Sequence, residues 1–355
     1  MAPQAAGLTR RAALGLGSGA LALAAAPFGL GAQEMTFFRI ATGGTAGTYY
    51  PVGALIANVI SNPPGSRPCD KGGSCGVPGL VAAAQSSDGS VANVAAVANG
   101  QVESGFCQSD VVFWAYNGEG IFQGEEPRRD LRLIGSLYPE VVQIVVRHDA
   151  DIKTVADMKG KRISLDIEGS GTLVDARIIL GSYGLTEEDL EAVHVPHGTA
   201  VTMMRKGEID AYFVIAGYPT NSVFDLVQEG LATLISIPVD DALALLNEHP
   251  FFSLSVVPEG TYAGLPLITT LAIGAQWIVR PDVPDDLIYG ITQALWNDNS
   301  RALLDSGHPA ARQLKLENAL LDASIPLHPG ARRFYEEAGL DLSHVPLPDE
   351  GSDIS

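Results

Sequence analysis

Two stretches of the chain repeat one order of local structure, and that order narrows the fold more than any other feature. In the first, the apolar run Phe37-Phe38-Arg39-Ile40 leads into Ala41-Thr42-Gly43-Gly44-Thr45-Ala46-Gly47-Thr48-Tyr49-Tyr50-Pro51, and a helical pattern runs from Val52 to Ile60. In the second, Arg162-Ile163-Ser164-Leu165-Asp166-Ile167 leads into Glu168-Gly169-Ser170-Gly171-Thr172, and Leu173 to Leu180 is helical. Each reads as a strand, a glycine-hydroxyl loop and a helix. Glycines let a backbone approach a ligand closely, and a helix start offers free N–H groups at the positive end of the dipole. Taken singly, an ordinary βα loop with turn glycines accounts for either stretch. Two matching loops, more than a hundred residues apart, suggest a cleft with a helix N-terminus entering from each side.

The rest of the chain keeps alternating strand and helix, which predicts an α/β fold with parallel sheets. Leu80 to Gln85 reads as a strand, and Ser86-Ser87-Asp88-Gly89-Ser90 then opens a helix from Val91. Ser and Asp there serve first as N-caps, although open α/β sheets also bind ligands at such strand ends. A buried strand ends at Gln108, and Ser109-Asp110 starts another helix. Ser109 or Asp110 reads either as the N-cap or as a cleft residue, and Gln108 is the alternative residue to face the cleft. Leu131 to Leu137 and Val141 to Arg147 read as strands on either side of Tyr138-Pro139-Glu140. Ala192 to Pro196 and Glu208 to Ile215 follow, the latter ending in Ala216-Gly217-Tyr218-Pro219-Thr220, with a late strand at Ala272 to Arg280.

With 355 residues, two domains of ordinary size are possible, and 46% hydrophobic residues against 18% charged argue for packed cores rather than disorder. The formal charge of −19 argues against a nucleic-acid partner, since phosphate binding needs clustered Lys and Arg. It does not exclude an anionic ligand, because local dipoles outweigh net charge at short range. Arg10-Arg11 followed by an apolar run from Ala12 to Leu30 and a small residue at Ala32 fits a cleaved signal peptide over residues 1–32, of Sec or twin-arginine type. A membrane anchor is the rival reading, weakened by the many glycines in the run. The segment holds two arginines and no acids, so its removal would take the charge to −21. A soluble, periplasmic protein is expected. In such a compartment Cys69 and Cys75 read as a small disulfide loop, with a metal site as the sharper alternative. Cys107, in an apolar run, reads as a buried free thiol.

Motifs for covalent or cofactor chemistry are missing. Gly169-Ser170-Gly171 only mimics a nucleophile elbow, and Gly43-Gly44-Thr45-Ala46-Gly47 lacks dinucleotide-loop spacing. His194 and His197 lie three apart without a further ligand pattern, so neither a metal nor another cofactor is expected.

The first loop, Ala41 to Gly53, resembles the opening loop of the TAXI family of extracytoplasmic solute receptors, which serve TRAP transporters. Further stretches resemble that family in the same order: Gly105-Phe106-Cys107-Gln108-Ser109-Asp110, Ser136-Leu137-Tyr138-Pro139-Glu140, Gly169-Ser170-Gly171-Thr172, Gly207 to Phe213 with Ala216 to Thr220, and Ile325-Pro326-Leu327-His328-Pro329-Gly330-Ala331. The resemblance implies a two-lobed, class II periplasmic-binding-protein fold with two parallel-rich sheets, a hinge and a ligand cleft. The lobes would comprise residues 33–140 with 266–355 and residues 141–265, crossing near Tyr138-Pro139-Glu140 and Leu265-Pro266. It also implies capture of a small acid, such as glutamate or 2-oxoglutarate, and delivery to an ion-driven TRAP permease by a monomeric receptor. A ligand-presenting receptor for a sensor kinase and an exported enzyme are the alternatives. Two departures stand out, the Ser61 to Gly79 insertion with its cysteines and Cys107 where the family usually has Ala.

The binding residues expected are Gly44, Thr45, Thr48 and Tyr49 from the first loop, and Ser170, Gly171 and Thr172 from the second. Ser109, Ala216 and Gly217 are expected to complete the wall. No Arg lies in these loops, so dipoles and hydroxyls, not an Arg fork, would hold the anion.

Overall fold

The computed structural model describes residues 35–348, and the expected signal segment at 1–32 lies outside them. Strand β1 (Thr36–Ala41) shows why the first apolar run is a strand. Its side chains alternate between faces, so Phe38 is fully buried while Phe37 is 65% exposed. Helix α1 (Tyr49–Ile60) follows the glycine-hydroxyl loop. The insertion forms a small two-stranded sheet from β2 (Ser61–Asn62) and β3 (Val77–Pro78), with Cys69 and Cys75 disulfide-bonded between them.

The first half continues with β4 (Leu80–Gln85), α2 (Ser90–Ala98), β5 (Ser104–Gln108) and α3 (Ser109–Asn117). Strand β6 (Arg132–Arg147) then runs for 16 residues without a break. Next come β7 (Arg162–Ser164), α4 (Gly171–Ser182), β8 (Glu191–Val193), α5 (His197–Arg205), β9 (Ala211–Ala216) and α6 (Asn221–Gln228). After them lie β10 (Ala232–Ile235), α7 (Val239–Glu248), β11 (Ser253–Val257) and the 12-residue β12 (Ile268–Val279). Helices α8 (Asp285–Leu295), α9 (Asp298–Gly307) and α10 (Pro329–Glu337) complete the chain.

Among the described residues ten strands make one sheet, in the order β4-β1-β5-β12-β6-β9-β7-β8, with β10 on β6 and β11 on β12. The outer pairs β1–β4, β1–β5, β7–β8 and β7–β9 are parallel, as the strand–helix alternation predicts. The centre is antiparallel, because β6 and β12 run against each other and against β5 and β9. The two separate, parallel-rich sheets expected from sequence are therefore joined into one mixed sheet through these two long strands. Pro139 sits within β6 despite lacking an N–H. Its partner is Gly274, where the β6–β12 register shifts, and a bulge is where a strand interior tolerates proline.

Burial divides along the same two strands. One hydrophobic core draws on residues 38–138 and 275–345. Two others draw only on residues 141–273. The changeover falls between Tyr138 and Val141 on β6 and between Ile273 and Ala275 on β12. The late motif Ile325 to Ala331 belongs to the first core: His328 is buried, its Nδ1 accepts from Gly330 N–H at 3.2 Å, and its Nε2 meets Val283 O at 2.9 Å. That histidine caps α10 against the chain leading into α8.

The disulfide clips a surface loop that meets the body near α9, where Asn299 Nδ2 lies 3.1 Å from Cys75 Sγ. Closing so short a loop restricts the unfolded chain by about 2 kcal/mol at most. Replacing both cysteines by serine should therefore lower the melting midpoint by only a few degrees. Solute binding, measured by calorimetry, should be unchanged, and a lost affinity would make this loop part of the cleft. Cys107 is buried and free.

Candidate ligand-binding site

Side chains of the neighbouring elements tie the carbonyls of the first loop. Ser87 Oγ and Asn93 Nδ2 donate to Thr42 O at 3.0 and 2.6 Å, and Ser86 Oγ donates to Gly43 O at 3.0 Å. Thr42 Oγ1 donates to Gln85 O at 2.6 Å. With those acceptors satisfied, the loop turns its other edge to a cavity of about 420 Å³ between the first core and the other two.

Four α-helices start at this cavity among the described residues. They are α1 at Thr48-Tyr49, α2 at Gly89-Ser90, α4 at Ser170-Gly171 and α5 at Pro196-His197. Helices α1, α2 and α5 begin with no capping side chain. Only α4 is capped, by Ser170 Oγ accepting from Leu173 N at 3.0 Å. Uncapped first turns leave N–H groups that need an acceptor, and their dipoles favour negative charge.

Of the residues expected from sequence, Gly44, Thr45, Thr48, Tyr49, Ser170, Gly171, Thr172 and Ala216 line the cavity. Ser109 and Gly217 do not. Ser109 is buried at the start of α3 beside Gly274 on β12, and Gln108 takes its place on the wall. Gly217 lies just behind the wall, where its carbonyl accepts from Thr48 Oγ1 at 2.8 Å. Two expected hydroxyls also have structural work. Ser170 is the cap just described, and Thr172 Oγ1 accepts from the buried Ile215 N–H at 3.2 Å.

The lining also includes Glu140, Asp166-Ile167 and Pro196 to Thr199, which the sequence reading missed, and the Ser86 to Ser90 loop, which it read first as a cap and only second as a ligand-binding strand end. The signal for two of these loops was present, since both lie between a strand end and a helix start. Asp166 adopts φ 74°, a left-handed conformation uncommon for a residue with a Cβ. It brings its carboxylate to 3.1 Å from His197 Nε2. Burial alone would lower the His197 pKa, but Asp166 beside it prevails and holds the imidazole above its ordinary value.

Glu140 closes the floor. It accepts from Tyr49 Oη at 2.6 Å and is 2% exposed. Burial pushes its carboxyl up to about 8 against that hydrogen bond, so it is mostly protonated at neutral pH. No Lys or Arg lies among the described lining residues. The lining thus combines four helix starts, hydroxyls and one imidazole, which suit a small anion, with the acids Asp88, Glu140 and Asp166, of which Asp166 is held by His197. A second cavity of about 500 Å³ lies on the other side of β6, since Pro139 lines it and the adjacent Glu140 lines the first. It carries Arg312 and Lys315, but no α-helix begins at its lining residues.

Solved structures share this architecture. The periplasmic binding protein BugD superposes with a TM-score of 0.51 at 10% identity, covering 85% of this chain and 94% of that one. MatC from Rhodopseudomonas palustris, solved with bound malate, gives 0.51 at 12% identity, covering 84% and 98%. Such likeness establishes the α/β periplasmic-binding-protein fold. The sequence itself matches the model of the NMT1-like family over residues 40–339, from the end of β1 past α10, and the chain belongs to that family.

Proposed function

We propose that this chain is an exported solute-binding receptor, not an enzyme, which captures a small carboxylate-bearing solute and delivers it to a membrane permease. The observation that carries this reading is the convergence of four helix starts, three of them uncapped, on one cavity without Lys or Arg among its described lining. Backbone dipoles held by a rigid sheet give a preorganised seat for a carboxylate. The malate in MatC is in keeping with that class of solute. The resemblance to TAXI receptors extends the reading to a TRAP-type permease as the partner and to glutamate-like or dicarboxylate solutes.

Two lobes would move about β6 and β12. The boundaries near residues 140 and 265 serve for the chain crossings, with the return hinge drawn at Gly274 because β12 packs in the second-lobe cores up to Ile273. Solute bridging the first loop and the start of α4 favours the closed form by its differential affinity. A thermal-shift screen of the chain from residue 33 against L-glutamate, 2-oxoglutarate and L-malate tests the reading. A solute present at a hundredfold excess over its dissociation constant adds about 2.7 kcal/mol, which is about 5 °C for a chain of this size. No shift with any carboxylate, from protein first denatured and refolded to strip bound molecules, would refute carboxylate binding.

A further inference from the structure

Behind the cavity floor lies a junction of acids that solute contacts do not explain. Asp110 stands in the first turn of α3, on the side of the first core. Asp175 stands on α4, on the side of the other cores. Both are 0% exposed. Asp110 and Asp175 face each other. Gln108 Nε2, from β5, donates to Asp175 Oδ2 at 2.6 Å. Both Asp110 oxygens and Asp175 Oδ1 lack a well-formed hydrogen bond among the described residues. Glu140 faces the pair from β6 and holds Tyr49 of α1. The other titratable groups around Glu140 are Tyr138 and Cys107. Every one of these groups is acidic or neutral, and among the described residues no Lys, Arg or His pairs with Asp110, Asp175 or Glu140.

Two carboxylates cannot both stay ionised in so dry a place, because each buried ion costs several kcal/mol without a counter-charge. A facing pair escapes that cost by holding a proton, as coupled carboxyls do. The two members come from opposite sides of the cleft, so parting the sides would separate the pair and admit water. We propose that closing this cleft takes up a proton on the Asp110–Asp175 pair, so that the receptor captures its anionic solute together with that proton and releases both on opening. On closure a hydrated carboxylate accepts one proton from solvent or buffer, and on opening it returns that proton. The anionic solute is the reading of the preceding subsection, while the proton step rests on the junction alone.

The sign follows from the geometry. Burial pushes Asp110 up to about 6 and, together with the facing Asp110, pushes Asp175 well above the ordinary range. Raised acids favour the closed form at low pH, and that advantage is lost as pH climbs through their closed-state values, from about 6 upward. His197, raised by Asp166, acts in the same direction and must be separated by mutation.

Calorimetry of the chain from residue 33 with L-glutamate, 2-oxoglutarate or L-malate, in phosphate and in Tris at pH 7, counts protons from the difference in heat. About one proton taken up per solute is expected, with affinity falling at least tenfold from pH 6 to pH 8. Asp175→Asn keeps a polar group for Gln108 and should reduce both effects severalfold, as should Asp110→Asn if the first variant folds poorly. Zero uptake in the unmutated chain, or unaltered uptake in both variants, overturns the proposal. A solute-free arm places spin labels at Gln101→Cys and Glu188→Cys, on exposed sites of the two sides. A shorter interlabel distance at pH 5 than at pH 8.5 supports the proton step even if no carboxylate binds and the anion reading fails. A distance independent of pH overturns it.

Discussion

Gly171→Ala is expected to weaken solute capture by about tenfold to a hundredfold while the protein still folds. Gly171 opens α4 directly against β5. A Cβ there would overlap the Gln108 carboxamide oxygen, and would lie 2.5 Å from Gln108 Cδ and 2.8 Å from Ser90 Oγ. A free glutamine would swing aside, but this one is buried and donates to Asp175 at 2.6 Å. Either that hydrogen bond breaks, at about 1–3 kcal/mol, or α4 backs away and holds the cleft open. The three cores lie to either side of the contact, so global stability should change by less than affinity does. Calorimetric titration beside a denaturant melt separates the two quantities. Unchanged affinity would mean that Gln108 yields without consequence and that the helix start does not need close approach.

Trp277→Ala should have the largest effect on stability, lowering the unfolding free energy of the first core by about 3–5 kcal/mol. Trp277 is fully buried on β12 beside the β6–β12 register shift. Phe38 and Phe106 meet it edge-on with ring centroids at 6.3 and 6.0 Å, and Phe106 in turn meets Tyr49 at 5.7 Å. The mutation would therefore leave a hole in the aromatic stack that supports Tyr49 and, through it, Glu140. Trp277→Phe should be milder, because it keeps a ring while deleting a buried indole N–H that has no hydrogen-bond partner among the described residues. Urea denaturation of the three proteins is the check. A loss under 1 kcal/mol for the alanine would show that β12 collapses into the space.

Residues read locally were read well. Phe37 to Ile40 is a strand because its apolar residues alternate, and the glycine-hydroxyl loops sit between strand and helix because their composition suits nothing else. Cys69 and Cys75 are close enough in sequence for their pairing to follow from the loop itself. The lining of the candidate cavity was legible in the same way, since all seven residues expected on those two loops line it. Gln108 and Ser109 show the limit. They are neighbours at one strand end, and which of them faces the cavity depends on how α3 leaves β5 and packs on β12.

Sequence alone also misjudged β6, which it split at Tyr138-Pro139-Glu140. Local rules bar proline from a strand interior, and only the bulge supplied by Gly274 on a strand 135 residues later makes room for it. Glu140, Asp110 and Asp175 are ordinary acids in the sequence. Their chemistry comes from what surrounds them, Tyr49 at a separation of 91 residues and Gln108 at 67. Periodicity, turn glycines and caps are short-range effects, so the chain itself determined its βα units and its glycine-hydroxyl loops. Desolvation depends on every neighbour brought in from a distance, so only the tertiary structure decided where β6 and β12 run and which carboxyls are buried without a counter-charge.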